Sequence, residues 1–326
     1  MFNRLSAGQK KSIQIAVSVI VIGIFASQLS WSTITRFFSR ADGWVLFAMI
    51  VLFPIDRFFM AWKWHLLVRN HKTGVRLWDA IRIYLASSAV GLVLPLGGLG
   101  PDVARVAMLS AHGMPSDVSV PSILVERICG IASAVMMMGL SIVLMALLVQ
   151  EQSSDQLLLF FALIAGVGAT VLLLLYGFGR SELFAKFLTK LKVRYSLEKY
   201  FAAVDWYGKR KGLLSLSIGL AWIEQWAPIV AFYLACRGFD VPLSLLQCAA
   251  IVPLASILER LPISFAGLGV REAGLVLGAA WFGIPRADAF LAGLTEHALY
   301  MLTIIPLALL YFAREKKHEQ GIAEQR

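Results

Sequence analysis

A chain of 326 residues in which 59% are hydrophobic and only 15% charged, with a mean hydropathy of +0.74, lies outside the composition range of soluble domains. The net charge is +10, but the lysines and arginines lie in short loops beside apolar segments, which indicates membrane orientation rather than nucleic-acid binding. The composition therefore predicts a polytopic membrane protein, with no connecting segment long enough to bury a soluble core of its own.

The first predicted element is Ser12–Leu29. Its basic start and apolar run are also typical of a signal peptide, but the run is long and more apolar segments follow, which favours an uncleaved first helix. Six segments in all are near the ~20 residues that a bilayer core requires. They are Ser12–Leu29, Gly43–Trp62, Val120–Val149, Leu157–Phe178, Leu213–Cys236 and Ala287–Phe312.

Two further apolar segments are interrupted in the middle. Ala80–His112 contains "LPLGGLGPD", and Leu243–Gly283 contains "LPISFAGLGVRE". The basic loops predict how these segments run, because loops rich in Lys and Arg lie in the cytoplasm. The N-terminal "RLSAGQKK", the loops Lys63–Arg82 and Arg180–Lys211 and the tail "REKKHEQGIAEQR" are basic, whereas Gln150–Gln156 has no basic residue. All five of these segments fit this rule if each interrupted segment enters and leaves on the same side of the membrane. The first interrupted segment then opens to the cytoplasm and the second to the outside.

An internal repeat supports this arrangement. "LPLGGLG" and "LPISFAGLG" recur about 169 residues apart, each followed by a Gly-x-Pro and then by a helix with Glu126 or Glu296 at the matching place. Two such copies entering from opposite faces form an inverted repeat, which is the construction of many secondary transporters. The predicted fold class is thus an all-α membrane protein with about six spanning helices and two broken re-entrant hairpins. It is a single domain over residues 1–326 with pseudo-repeats at about 44–150 and 213–312.

The interruptions predict a site near the middle of the membrane. Where the backbone leaves helical geometry in the hydrocarbon core, its N–H and C=O groups lose their hydrogen-bond partners. This is unfavourable unless that backbone is buried in protein or faces a water-filled cavity. Each restarted helix presents its positive end beside an arginine, Arg105 or Arg271, a combination that attracts phosphate or carboxylate. The predicted helix breaks are marked by Pro95, Gly98, Gly100, Pro262, Gly267 and Gly269.

Ionisable residues in the spanning segments form the predicted substrate site, because such residues are costly in a membrane and normally face each other or water. Structural ion pairing that only holds helices together is the alternative for any single pair. Arg271 carries the most weight, since an arginine in the first turn opposes the helix dipole and needs a negative partner, for which a lipid phosphate is the simplest choice. The predicted substrate-binding residues are Arg105, Arg271, Glu272, Glu126, Glu296, Glu259, Arg260, Arg127 and Asp102.

The segment Arg180–Lys211 spaces apolar residues on one helical face, with lysines elsewhere. It is predicted to lie on anionic lipid at the cytoplasmic surface, with a solvated connector helix as the alternative. The sequence contains none of the motifs HExxH, G-x-S-x-G or GxxxxGK[ST], so no hydrolytic, nucleotide-driven, metal or cofactor chemistry is predicted.

The pairing of "LPLGGLGPDVAR" with "LPISFAGLGVREAG", the latter followed by "FGIPRADAFLAGLTEHALYML", resembles the lysylphosphatidylglycerol synthase transmembrane region, or flippase-like domain, family. The resemblance covers about Trp44 to Tyr311. In the two-domain members, the multiple peptide resistance factors, this region moves an aminoacylated phospholipid between leaflets, and a soluble domain makes that lipid. The present sequence shows no such soluble domain, so the resemblance implies transport without lipid synthesis.

The leading prediction is therefore a non-enzymatic lipid translocase of a bacterial inner membrane, with both termini in the cytoplasm. It would move a lipid with an anionic or zwitterionic head group, with Arg105 and Arg271 holding phosphate and the glutamates contacting a cationic part or carrying protons. Two alternatives remain. One is a membrane enzyme or accessory subunit acting on a polyprenyl-linked sugar, with buried carboxylates as acid and base, and the other is a non-transporting regulator of envelope synthesis.

Overall fold

The structure is a computed structural model that describes residues 7–27, 29–69, 74–93, 100–111, 114–148, 205–260, 264 and 267–324. Every regular element in these ranges is helical, as the sequence predicts. The first half contains α1 (Ala7–Ala26), α2 (Trp31–Phe38), α3 (Gly43–Arg69), α4 (Leu77–Val93), α5 (Gly100–Ala111) and α6 (Ser116–Leu148). The second contains α7 (Lys211–Glu224), α8 (Trp226–Gly238), α9 (Leu245–Glu259), α10 (Val270–Ala280) and α11 (Arg286–Glu324).

Four stretches among the described residues are long and apolar enough to cross a membrane: Gly43–Arg69, Val118–Met145, Lys211–Gly238 and Arg286–Leu309. A fifth candidate is the pair Ser18–Ala26 and Trp31–Phe38, which is bent by 90°. Large apolar side chains on these helices face outward, as they do in a lipid environment; Trp44 is 83% exposed and Leu302 is 70% exposed. The predicted span Leu157–Phe178 and most of Arg180–Lys211 lie outside the described residues.

The described helices lie on either side of the two interruptions that the sequence predicts. Helix α4 ends at Val93 and α5 begins at Gly100, while α9 ends at Glu259 and α10 begins at Val270. In each half the two helices that flank the interruption pack against each other, so each forms a hairpin. Close packing in the first hairpin requires glycine, because a methyl group on Gly91 would lie 2.4 Å from Cδ of Pro101.

The two halves of the chain make matching helix contacts. Helix α9 packs on α6 of the first half, and α4, its counterpart, packs on α11 of the second. Helix α3 of the first half is compared with the pair α7 and α8 of the second. Helix α7 contacts α6, and α3 contacts α11. Helix α8 contacts α9, and α3 contacts α4. Each hairpin therefore rests on the long helix that follows the other hairpin, which brings the two interruptions toward one interior.

One predicted boundary is wrong. Lys63, predicted to begin a cytoplasmic loop, lies within α3, which continues to Arg69 before α4 begins at Leu77. The predicted span Leu213–Cys236 lies within the candidate span Lys211–Gly238, whose helix is divided at Gln225 into α7 and α8. Pro228 explains this division, because a proline lacks a backbone N–H and its ring clashes with the carbonyl four residues earlier.

The core between the helices combines large apolar side chains with small residues. Phe232, Phe239 and Phe290 are fully buried in a cluster that also includes Cys236 and Cys248. Both cysteines are free thiols and pack there as small core residues.

Candidate functional site

A cavity of ≈ 220 Å³ lies between the two halves of the chain. It is lined mainly by polar and charged side chains from α3 to α9 and from α11, although it is surrounded by helices with apolar outer faces. The charged residues that line it are Asp56, Arg57, Lys63, Asp102, Arg105, Glu126, Arg127, Glu224, Glu259 and Arg260. Water or a polar group must occupy such a space, because charged side chains are not left facing an apolar void.

A second cavity of ≈ 110 Å³ adjoins the first. The second cavity reaches the other hairpin, where Arg271, Glu296 and His297 line it. The two cavities share the lining residues Asp56, Arg57, Pro228, Ser256, Glu259 and Tyr300. A continuous polar region therefore connects the two hairpins through the middle of the helix bundle.

The first cluster of ion pairs is built around Arg105 in the second turn of α5. Its guanidinium donates to Oε2 of Glu126 at 2.7 Å and to Oδ1 of Asp102 at 2.9 Å. Tyr84 donates its hydroxyl to the other oxygen of Glu126 at 3.1 Å, and its ring lies 4.5 Å below the guanidinium. Arg105 is only 4% exposed, so these partners replace the water that an exposed arginine would have.

The same cluster extends to two more helices, α3 and α7. Lys63 on α3 contacts Glu224 and lies 3.9 Å from Glu126, and Arg127 on α6 contacts Asp102. The cations Lys63, Arg105 and Arg127 thus face the carboxylates Asp102, Glu126 and Glu224. This charge-balanced set of six residues is called the first cluster below.

The second cluster surrounds Arg271, and each nitrogen of its guanidinium faces a different glutamate. Nη2 contacts Glu296 on α11, Nη1 lies 3.4 Å from Glu272 on the same helix as Arg271, and Nε lies 3.6 Å from Glu259 at the end of α9. Arg271 is 5% exposed and Glu272 is completely buried. The second cluster, defined as these four residues and His297, therefore joins three helices through one guanidinium.

Glu126 and Glu296, which the predicted repeat aligns, each belong to one cluster, but the arginines reach them differently. Glu126 and Glu296 each accept from an arginine of the hairpin that precedes their helix. Arg105 is five residues beyond Gly100, whereas Arg271 is two residues beyond Gly269. The two halves thus keep the ion pair while the arginine occupies a different helical turn.

The sequence profile of the lysylphosphatidylglycerol synthase TM region matches residues 12–308, nearly the whole chain. The chain belongs to this family. No curated protein matches the sequence closely enough to be named as a relative. Both hairpins, both clusters and both cavities of this family member fall inside the matched range.

The structure gives Arg271 a protein partner in this family member, contrary to the reasoning from the sequence. Sequence position excludes a strong pair with the adjacent Glu272 and leaves a lipid phosphate as the expected partner, but Glu296 of α11 supplies the negative charge. Glu272 has another function. It lines neither cavity, and its carboxylate accepts from the backbone N–H of Gly269 at 2.6 Å, so it caps the first turn of α10. That N–H is therefore occupied by the protein's own anion.

The glycine at the second break is in contact with α1 rather than with a cavity. Gly269 has a φ of +85°, and a methyl group there would lie 3.1 Å from Cβ of Val21. Ser18, one turn earlier on α1, donates to the carbonyl of Leu268 at 3.1 Å. Gly267, with a φ of +79°, lies against the side chain of Glu259. Pro95, Gly98 and Pro262 lie outside the described residues.

Arg260 is the cavity-lining cation that makes no ion pair with any residue the structure describes. It follows the last residue of α9, and its guanidinium lies beside Gly130 of α6, where a methyl group would come within 3.1 Å of Nη1. Gln225 donates to the carbonyl of the same glycine at 3.2 Å. The glycine therefore leaves space for the arginine at the wall of the first cavity.

Proposed function

We propose that this protein is a lipid translocase, in which a polar head group moves through the joined cavities while the acyl chains stay in the bilayer. The observation that carries this proposal is the continuous charged region between the hairpins, inside a bundle whose outer surface is apolar. Charged side chains at this depth are costly and mark pathways for polar substrates. Membership of a family of membrane regions named for a lipid synthase is compatible with a lipid as the substrate.

The lipid is one with an anionic or zwitterionic head group, and Arg260 is its first phosphate contact. Arg105 and Arg271 are each held by two or more carboxylates, whereas Arg260 has its five donors free of any described carboxylate. A guanidinium binds phosphate through two parallel hydrogen bonds. Glu259, which lines both cavities, is placed to accept from a cationic part of the head group.

The proposed architecture is an inverted repeat with both termini in the cytoplasm of a bacterial inner membrane. The exchange of helix partners between the two halves supports a two-fold relation between them. The distribution of basic loops supports opposite directions of entry for the two hairpins. Arg180–Lys211 is proposed to lie on anionic lipid at the cytoplasmic surface.

Transport rather than catalysis is the proposed activity. Apart from Arg260, the cations of the cavity form ion pairs with its carboxylates, and the sequence carries no nucleotide-binding or hydrolase motif. The lipid therefore moves passively or through coupling to an ion gradient.

The test uses the full chain in liposomes that contain a head-group-labelled anionic phospholipid, with an impermeant quencher added outside. The parent protein is expected to expose the inner-leaflet label faster than protein-free liposomes do. Arg260→Gln is expected to reduce the rate about tenfold, the value of one charge-assisted hydrogen bond. The matched control is Arg76→Gln, because Arg76 is 84% exposed at the surface. A parent rate equal to that of protein-free liposomes would contradict the proposed function.

A further inference from the structure

The two clusters differ in charge balance. In the first cluster three cations face three carboxylates. In the second, Arg271 is the one described cation within ion-pair distance of Glu259, Glu272 and Glu296. If all three glutamates are ionised and His297 is neutral, the second cluster carries two uncompensated negative charges.

Burial makes this imbalance unfavourable. Glu272 is 0% exposed and Glu296 is 5% exposed, so water cannot offset their charges as it would at a surface. A buried site with several carboxylates normally retains a proton or binds a cation, since like charges at close range cannot all ionise. The described residues include no group of His, Cys, Asp or Glu side chains placed so that it could hold a metal ion, which favours the proton.

A second observation points to the same cavity. His297 is 4% exposed and lines the second cavity, and its Nε2 has no hydrogen-bond partner among the described atoms. Its Nδ1 lies 3.8 Å from Glu272. Oδ1 of Asp56, across the same cavity, also has no partner among the described atoms. Two residues that line this cavity beside the glutamates therefore each have a buried polar atom without a partner among the described atoms, as expected for a site that binds protons.

We propose that the second cluster is a proton-binding site and that Glu259 is the carboxylate through which it exchanges protons with water. The side chain of Glu259 is 38% exposed and lines both cavities, whereas Glu296 is enclosed. Its 3.6 Å contact with Nε of Arg271 is the longest of the three, so Glu259 is the carboxylate held least tightly. A hydronium ion from the cavity transfers its proton to a carboxylate oxygen, leaves as water, and changes the cluster from two excess negative charges to one.

The surrounding helices supply a defined set of other charges. Helix α10 contributes Arg271 and Glu272, and α11 contributes Glu296, His297 and Tyr300. From α3, Asp56 and Arg57 line the cavity as a neutral pair, and the guanidinium of Arg57 lies 5.5 Å from the centre of the Tyr300 ring. Helix α8 contributes only Ala227, Pro228 and Ala231 to the cavity wall. Arg260 follows Glu259 and lines the first cavity, but among the described cations only Arg271 lies within ion-pair distance of the three glutamates.

Proton exchange at Glu259 would also change the path of the head group. A protonated Glu259 no longer holds Nε of Arg271 electrostatically and no longer attracts the cationic part of a lipid. Because Glu259 precedes Arg260, protonation beside the proposed phosphate contact would couple lipid movement to proton movement. This coupling rests on the proposed function, whereas proton binding itself does not.

The test is infrared spectroscopy of the purified full chain, which detects the C=O stretch of a protonated carboxylic acid directly. We expect this band above pH 6, where exposed glutamates with a pKa of about 4.3 are ionised, and we expect it to shift in D2O. Glu296→Gln is expected to remove the band, because Glu296 is enclosed. Glu259→Gln is expected to keep the band and to slow its shift in D2O. The matched variant Glu126→Gln in the balanced first cluster is expected to leave both the band and the rate of its shift unchanged. Glutamine preserves the shape of glutamate, and the parent spectrum alone tests whether the proton is present.

Absence of the band in the parent protein above pH 6 would overturn the proton site. A shift in D2O that is as fast in Glu259→Gln as in the parent would overturn Glu259 as the exchange point. Lipid movement in liposomes is scored separately. A parent protein that shows the band but moves no lipid leaves the proton site standing and contradicts the proposed function.

Discussion

Arg271 on α10 and Glu296 on α11 are in direct contact, and each is only 5% exposed. Their contact joins the second hairpin to the helix that follows it. Since both charges are removed from water, neither residue can be changed alone without leaving the other uncompensated. The pair therefore contributes to both the architecture and the polar cavity beside it.

Arg271→Gln is expected to lower stability by about 3–5 kcal/mol, because three carboxylates lose their shared cation. Arg271→Lys is expected to lower stability by less than Arg271→Gln does, because the charge remains. Some stability is still lost, since one ammonium group cannot face three glutamates with the fork geometry of a guanidinium. The stability of both variants is measured by thermal unfolding of the purified protein, with loss of monodispersity as the signal. The double variant Arg271→Gln/Glu296→Gln is expected to recover part of the loss; a double variant less stable than Arg271→Gln would count against the ion pair.

Gly269→Ala tests the contact between the second break and α1. The substitution introduces an L side chain at a φ of +85° and places its methyl group 3.1 Å from Val21. We expect a loss of about 1–2 kcal/mol from the backbone alone, and a further loss from the contact. Gly283→Ala is the matched control, because its φ is +72° but no atom lies within 4 Å of the added methyl group. Equal losses in the two variants would show that contact with α1 is unimportant.

Several features of the site follow from the sequence because their signals are local. Proline and glycine between apolar runs indicate both interruptions, and the repeat indicates that Glu126 and Glu296 occupy matching places. The structure places both glutamates against arginines of the hairpins. Local pattern also predicts the start of α5 at Gly100 and of α10 just beyond Gly269.

The partners of these residues are less predictable, because they come from distant segments. Lys63 contacts Glu224, 161 residues away, and no local pattern contains that information. The predicted span ended at Trp62 because the next residue is charged. A usable signal did exist: Asp56 and Lys63 are seven residues apart, which places them on one face of a continuous helix. The division at Gln225 was likewise indicated by Pro228.

The topology of the chain is tested by cysteine labelling in intact cells. We predict that Gln150–Gln156 faces the outside and Arg180–Lys211 the cytoplasm, because only the second segment is basic. Single cysteines replace Ser153 and Lys192 in a background without Cys129, Cys236 and Cys248. An impermeant thiol reagent is expected to label position 153 alone. Labelling at 192 and not at 153 would refute the proposed orientation.

Passage of the head group through the joined cavities is tested most directly by blocking Ser256, which lines both of them. In the cysteine-free background, Ser256→Cys is modified with a bulky thiosulfonate reagent, and movement of a head-group-labelled lipid in liposomes is measured before modification, after it, and after reduction. Ser215→Cys on the exposed face of α7 is the control. We predict that modification stops lipid movement at position 256 only and that reduction restores it. Undiminished movement with position 256 fully modified would contradict passage of the head group through the joined cavities.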